Sequence, residues 1–440
     1  MKTSGIKWRI LLPIAAIGVL VAACDDILTV SDPQRYTSDD LDQALEAVAA
    51  GVEGDMHFAI DQWVIHTSLA SDIYRHTGTW TGYEEFDVGT FAYGNSGGSN
   101  TALDRLLRAR WAAIDAKERF ERVLDDPTGS PLYTQVQVVE GITQLLLGQS
   151  WCEAPMEPLG PAVSDRQLLE SAVQKLTVGE SLAQGIQSAQ WTSTARAARA
   201  RAHLLLGNYS QAAADAASVP DGFMYAAKHS LNSGRQNNSV VSLTTTGENR
   251  AAGIRERWWA MVDTDAHLLR DPWTNELDSR VPIRFTGELG VNGFTDHFSQ
   301  WKFRNRGDDI PMFHTGEMRL IQAEVRWREG DLDGAIDLMN GLRAAAGLSP
   351  LPDTSDPAIV QEYLLHERFA ELFMEGQRMS DLSRFGLFNT IEVVRGEAPA
   401  DNLFGPNRPI KFPLSRSEAL NNPQIEDNAA ARCLPQAGSG

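Results

Sequence analysis

Residues 363–386, YLLHERFAELFMEGQRMSDLSRFG, place Glu367, Glu371 and Glu375 at four-residue spacing among Arg368, Arg378, Asp381 and Arg384. Two chemistries suit such a set. A pair of carboxylates can serve as the acid and base of glycoside hydrolysis, provided one of them has a raised pKa. Alternatively, acids and arginines three and four residues apart on one helix pair with each other in a partly buried ion-pair network. The second reading is the stronger. Three glutamates along one helical face repel unless paired, and neighbouring arginines hold carboxylates low, where a general acid cannot work. A hydrolase would need acids on facing loops instead, such as Asp72 or Glu84 with Asp263 or Asp278. Other chemistries lack their residues. His57, His66 and His76 do not have the spacing of a helical zinc site, and GDLDG (330–334) has two acids and a glycine without the rest of a calcium loop. There is no HExxH, phosphate-cradling glycine loop, dinucleotide fingerprint or nucleophile elbow. No catalytic residue, cofactor or metal ligand is therefore expected; on structural calcium the sequence is silent.

Cys24 is the other chemically distinctive residue. Lys2, Lys7 and Arg9 precede an apolar run, ILLPIAAIGVLV, that is shorter than the ~20 residues of a membrane-spanning helix. Residues 1–23 therefore read as an export signal. The run ends in Val21-Ala22-Ala23-Cys24, which resembles the lipobox of bacterial lipoproteins and makes Cys24 the expected acylated mature N-terminus. Cys152 and Cys433 remain. In an oxidising compartment they either form a disulfide that pins the C-terminal tail to a mid-chain loop, or stay as two free thiols. The formal charge is −19, and removal of residues 1–23 takes three basic groups and no acidic ones, leaving 36 basic against 58 acidic groups, or −22. Nucleic acid is excluded as an expected partner. No later segment is long and apolar enough to span a bilayer, so residues 24–40 read as a tether and 41–440 as one globular domain.

Apolar residues at three and four spacing predict helices over 40–52, 101–124, 134–149, 166–187, 195–217, 314–345 and 357–383. Between 218 and 313 Gly, Asn, Ser, Thr and Trp become frequent and the periodicity fades. The expected fold is mainly all-α. Its helical scaffold occupies 41–217 and 314–386, a loop-rich elaboration 218–313, and a closing segment 387–440. Residues 195–219 and 316–343 each carry an apolar helix, then Gly207 or Gly330, then Ala212 or Ala335 five positions on. That is how a tetratricopeptide hairpin is written, with the glycine making the turn and the alanine letting the second helix approach. Residues 101–149 read as a further pair with Gly148 closing its second helix, and the distance between units argues against a simple tandem array.

Taken together, Glu367-Arg368, Glu371-Leu372, Glu375-Gly376, Arg378, Asp381-Leu382 and Arg384 resemble the C-terminal hallmark of the RagB/SusD family of nutrient-binding outer-membrane lipoproteins. Residues 320–351, with Asn340, Arg343 and Gly347, are similar to the helix pair before that hallmark; 408–428 resemble the closing segment, and LLLGQSWCEAPM (145–156) a helix running into a loop. The resemblance implies four tetratricopeptide-like pairs with an irregular ligand-bearing region packed on them. It further implies a SusC-like TonB-dependent transporter as partner, an outer-membrane, surface-exposed location, and capture of oligosaccharides or peptides without cleavage. A tetratricopeptide scaffold of envelope assembly is the alternative, disfavoured by the tryptophan-rich 218–313 region.

Sugar capture needs exposed rings for stacking, with amides, carboxylates and arginines around them. Two clusters qualify: Tyr74, Trp80, Tyr83 and Tyr93 with Asp72, Arg75 and Asn95, and Trp258, Trp259, Trp273 and Trp301. Tyr74, Trp80, Tyr83, Trp258, Trp273 and Trp301 are the expected ligand contacts. Trp80 and Tyr83 in a Gly/Thr-rich loop and Trp273 in a Pro-containing one are the best placed for exposure.

Overall fold

The computed structural model describes residues 38–89, 101–244, 249–387 and 410–425. The export signal, Cys24, Tyr93, Asn95 and Cys433 lie outside the described residues. Two units divide the chain, Met1–Ala47 and Val48–Gly440. The first contributes the short helix Ser38–Asp42. The main helices are α1 (Leu45–Leu69), α2 (Thr81–Val88), α3 (Thr101–Val123), α4 (Pro131–Ser150), α5 (Asp165–Gly185), α6 (Ala189–Leu206), α7 (Tyr209–Ala217), α8 (Thr315–Glu329), α9 (Leu332–Ala345), α10 (Pro357–Glu371) and α11 (Arg378–Arg384). The strands are β1 (Tyr74–His76), β2 (Glu153–Pro155), β3 (Ala162–Ser164), β4 (Met224–Ala227), β5 (Ala252–Ile254), β6 (Val262–Asp263), β7 (Leu268–Arg270), β8 (Leu277–Leu289), β9 (Asp296–Gln300) and β10 (Ile310–His314).

The mainly helical fold is the expected one. From α3 to α7 each helix packs on the next, and α8, α9 and α10 continue the array. At Gly207 (φ 77°) and Gly330 (φ 84°) the first helix of each hairpin ends in the left-handed region, where a Cβ costs about 1–2 kcal/mol. Ala212 and Ala335 are fully buried at the helix contacts that follow. Gly148 plays another part than the expected one. It lies inside α4, and a Cβ there would stand 2.9 Å from Leu169 Cγ and 3.0 Å from the Asp165 carbonyl, so it admits the start of α5 rather than ending α4.

The two hairpin units, far apart in sequence, are neighbours in space: α8 packs on α7. The chain leaves after Ala217 and returns at Thr315 because β4 and β10 pair antiparallel, Met224 opposite His314 and Ala227 opposite Ile310. The excursion between them is less irregular than its composition suggests. It carries β5, which pairs with β1, and an antiparallel sheet in the order β6-β7-β8-β9. In β8, Val281 and Ile283 are buried while Pro282 is only partly buried and Arg284 exposed, a period of two. A pattern of that period registers in a helix-period reading only as lost periodicity.

The 363–386 stretch departs from its expected geometry. Helix α10 stops at Glu371, and Met374 (φ 60°) and Gly376 (φ 76°) turn the chain before α11. Glu375 is thus off the helix that carries Glu367 and Glu371, and the three acids take distant cations rather than local ones. Glu367 accepts from Arg343 Nη1 and Arg280 Nη1, both at 2.7 Å, and Arg280 also reaches Glu371 at 3.4 Å. Glu375 accepts from Lys302 Nζ at 2.7 Å and pairs with His314 Nε2 at 3.0 Å. The signature arginines bind elsewhere. Arg378 grips Asp72 at 2.8 and 2.9 Å, while Arg368 and Arg384 meet on Asp381 at 2.9 and 2.8 Å. Arg280, Lys302 and His314 belong to the excursion, so these pairs fasten it to the helical array.

Their titration also differs from expectation at one position. Burial raises the pKa of Glu367 against the pull of Arg280 and Arg343. For Glu375 burial works in the same direction, but Lys302 and His314 outweigh it and bring the carboxyl down to about 2. His314 is raised by Glu375 although burial opposes this. A depressed carboxyl stabilises the fold above its unfolded-state pKa and loses that contribution as pH falls towards the folded-state value. Glu375→Gln is therefore expected to cost about 3 kcal/mol at pH 7, with most of the difference gone at pH 2.5. The contribution of His314 runs the other way, complete below its ordinary value and lost as pH rises through the raised one. Denaturant unfolding of both chains at the two pH values measures the acid limb.

Candidate functional site

Helix α2 is clamped from below. Phe86 is buried, stacked on the His66 ring at 4.0 Å and edge-on to Phe412 at 5.0 Å. Tyr83 donates through its hydroxyl to Gln62 Oε1 at 3.0 Å, and Asp87 accepts from the His76 amide at 3.0 Å and pairs with Arg255. This clamp leaves the residue before the helix outside. Trp80 is 52% exposed, with the partly buried Tyr83 ring 5.8 Å away at 30°. Thr79, Thr81 and Glu84 are exposed around the pair, supplying hydroxyls and a carboxylate.

The tip of the β8–β9 hairpin reaches the same loop. The Asn292 amide donates to the Thr77 carbonyl at 2.8 Å, and the Thr77 hydroxyl donates to the Arg250 carbonyl at 2.8 Å. Asn292 Oδ1 accepts from the Phe294 and Thr295 amides at 3.3 and 3.2 Å, and Nδ2 donates to Thr295 Oγ1 at 3.0 Å, so the turn is braced from within. The braced turn projects Phe294, 74% exposed, together with Val291 and Leu289. A rigid tip with an exposed aromatic, tied to a rigid loop with an exposed tryptophan, is a platform for flat apolar ligand faces flanked by hydroxyls and amides. The tip was not among the expected contacts. Its signal was the segment GVNGF (290–294), an aromatic following two closely spaced glycines in a hairpin turn.

Of the expected contacts, the structure brings Trp80 and Tyr83 together and disperses the others. Tyr74 is fully buried in β1 opposite Ile254, so its ring faces no solvent. Trp258 is buried, stacked on Phe369 at 4.2 Å and 4°, and donates through Nε1 to the Asp72 carbonyl at 2.7 Å. Trp273 is partly buried, edge-on to Tyr363 at 4.8 Å and to His366 at 5.0 Å, and packs on the core of α8, α9 and α10. Trp258 and Trp273 thus seat the excursion on α10. Trp301 is partly exposed but carries the guanidinium groups of Arg284 and Arg304 at 4.7 and 5.4 Å from its ring.

Of the four acids weighed for hydrolysis, Glu84 stands exposed beside Trp80, and Asp72, Asp263 and Asp278 are paired with arginines. Asp72 is fully buried between Arg378 and Arg257, and although burial opposes them the arginines depress its pKa. Asp278 is buried against Arg280 at 2.8 Å. Asp263 is lowered by the Ala266 and Asp265 amides and by Arg270. Neither Asp72 nor Asp263 is thus held in the raised range a general acid needs. Among the described residues, no group of three or more His, Cys, Asp or Glu side chains is placed to hold a metal ion. No helix of the described residues is long and apolar enough to cross a membrane.

Cys152 is disulfide-bonded. Its partner, and with it the Cys152–Cys433 alternative raised by the sequence, lies outside the described residues. The Cys152 amide donates to the Phe412 carbonyl at 3.1 Å, and Trp151 and Phe412 form a parallel bridge, so the C-terminal segment already runs beside Cys152. We propose Cys433 as the partner on that ground.

The SusD family model matches residues 241–430, a stretch that includes β5 to β10, the α8–α9 hairpin and the Glu/Arg signature. Over 155 residues the chain is 36% identical to the starch-binding protein SusD of Bacteroides thetaiotaomicron. Residues 241–430 of the chain therefore match the SusD/RagB family. That alignment covers 31% of this chain and 27% of SusD, so the match spans about a quarter of the curated protein's length. Solved SusD-like structures extend the likeness to the whole fold. A SusD superfamily protein of Bacteroides fragilis superposes with a TM-score of 0.68 over 89% of this chain and 99% of that one at 14% identity. A laminarin-binding SusD-like protein does so with a TM-score of 0.61 over 86% and 98%, also at 14% identity. At those identities the structures share the fold alone.

Proposed function

We propose that the protein is a surface-held capture protein that binds oligosaccharides, or other nutrients such as peptides, on the Trp80 face and passes them unaltered to a SusC-like TonB-dependent transporter. The observation that carries the reading is the exposed Trp80, flanked by Tyr83 and by the Phe294 turn, on a fold whose relatives include a starch-binding and a laminarin-binding protein. Stacking a sugar ring on an exposed aromatic contributes on the order of 1 kcal/mol beyond the area it covers, and the hydroxyl and amide groups beside it supply orientation. Incubation with a panel of soluble glycans tests the reading: retention with no shortened product supports capture, and product release contradicts it.

The same reading places the protein at the outer membrane through an acylated Cys24, with no partner among nucleic acids. Each buried methylene of the lipid contributes about 0.8 kcal/mol to anchoring. Cys24→Ser is expected to move the protein from the membrane fraction to the soluble fraction of fractionated cells. Full membrane retention of that variant would remove the lipid from the account.

A further inference from the structure

A pocket of about 510 Å3, whose lining includes neither Trp80 nor Phe294, lies beside β4, α1 and the start of α6. Its walls include Trp191 and Tyr225, whose rings stand 5.8 Å apart at 54°, and the exposed Met224. Glu53 lies among them. Its carboxylate is fixed by two neutral donors, the Tyr225 hydroxyl at 2.7 Å and Gln135 Nε2 at 2.7 Å. Tyr225 keeps its proton, because burial raises its pKa well above the ordinary value. The nearest titratable cation is His57 Nε2, 3.6 Å from Glu53 Oε1, and burial, helped by His229 and Lys228, lowers that ring to about 4 and leaves it uncharged at neutral pH. Lys228, the pocket's own ammonium, is already paired with Asp309 at 2.7 Å. The lining therefore holds two carboxylates against one ammonium, a net charge of −1. An oriented carboxylate with no cationic partner among the described residues, lining one pocket with two aromatic rings and a thioether, is complementary to a positive group. The ring faces attract it through their quadrupoles and the carboxylate through its charge.

We propose that this pocket binds a primary ammonium group carried on a small ligand, with Glu53 as its counter-ion and Trp191 and Tyr225 as its walls. Amino sugars and lysine side chains both present that group, and the volume is ample for either. The proposal does not rest on the reading of the Trp80 face, and its test keeps the two apart by using the Trp80→Ala chain as parent. Calorimetric titration of that parent with glucosamine and with Nα-acetyl-lysine amide is expected to show saturable binding of at least one, with N-acetylglucosamine as the neutral control binding at least tenfold more weakly than glucosamine where glucosamine binds. Preference for glucosamine assigns the group to an amino sugar; preference for the lysine derivative assigns it to a peptide. Glu53→Gln, which keeps an acceptor for Tyr225, is expected to weaken binding at least tenfold. Trp191→Ala, at a partly exposed position, is expected to weaken it independently. Saturation by neither cation, or equal affinity in the parent and both variants, would overturn the proposal.

Discussion

Replacing Arg343 by Met is expected to cost about 3–5 kcal/mol, the range found when one partner of a buried ion pair is removed. Arg343 has no exposed surface, and neither do its two partners, Asp271 and Glu367, each 2.7 Å from Nη1. Methionine nearly fills the volume, so the loss is one of charge rather than packing. Two carboxylates would be left in a dry site with only part of their compensation. Arg280 remains for Glu367 at 2.7 Å, and the Thr274 amide and hydroxyl for Asp271 at 2.8 and 2.9 Å. Arg343 also donates through Nε to the Ser349 carbonyl at 2.8 Å, which closes the turn after α9. The effect should be larger than that of any single exposed pair, such as Arg326 with Asp331, which contributes at most about 1 kcal/mol. Denaturant unfolding at neutral pH measures it, and a loss under 1 kcal/mol would mean that the buried network does not fasten the excursion to the helices.

Gly376→Ala is expected to be comparably damaging, for steric reasons. Gly376 sits at φ 76°, where an L side chain costs about 1–2 kcal/mol. A Cβ there would also fall inside contact distance of the Trp63 ring. That ring cannot easily yield. It is 2% exposed within α1, and its Nε1 donates to Ser150 Oγ at 2.7 Å. Overpacking adds about 1–3 kcal/mol, so a total near 3 kcal/mol is expected, read as a fall in the unfolding midpoint. Gly341, in α9 with open space around its Cβ position, is the control: Gly341→Ala should be neutral or stabilising.

These two positions also show how far the sequence could be read. The hairpins were legible because their determinants are local: a turn glycine and an alanine five positions later specify a contact between adjacent helices, and Gly207, Ala212, Gly330 and Ala335 stand where such a pattern puts them. The Glu/Arg stretch was legible as a buried network but not in its wiring. Its cations, Arg280, Lys302, His314 and Arg343, come from up to about ninety residues away, as in the pair of Arg280 with Glu371, and spacing along one helix carries no information about them. Gly376, next to Glu375, is the local mark of the turn that takes the third acid off that helix. Exposure was the least legible property. Trp80 and Trp273 both sit in loops, yet Trp273 is held against Tyr363 and His366 by the fold of the excursion while Trp80, beside Tyr83, stays half exposed. Tyr74 reads as one ring in an aromatic cluster until its pairing with Ile254 buries it. Phe294, isolated in sequence among polar and small residues, becomes conspicuous only when the hairpin turn is seen against Thr77. Loop composition predicts where the backbone is free of regular structure, not which side of a ring meets water.

The account's central claim is that exposed rings on a braced face of this SusD-like fold hold a nutrient without altering it. Equilibrium titration of the folded wild-type chain and of Trp80→Ala, with the glycan most strongly retained from the panel, tests it directly. The account predicts saturable binding by the wild type with the glycan recovered intact, and at least a tenfold weaker affinity for Trp80→Ala at an unchanged unfolding midpoint. Equal affinity of the two chains, or recovery of a shortened glycan, would contradict it.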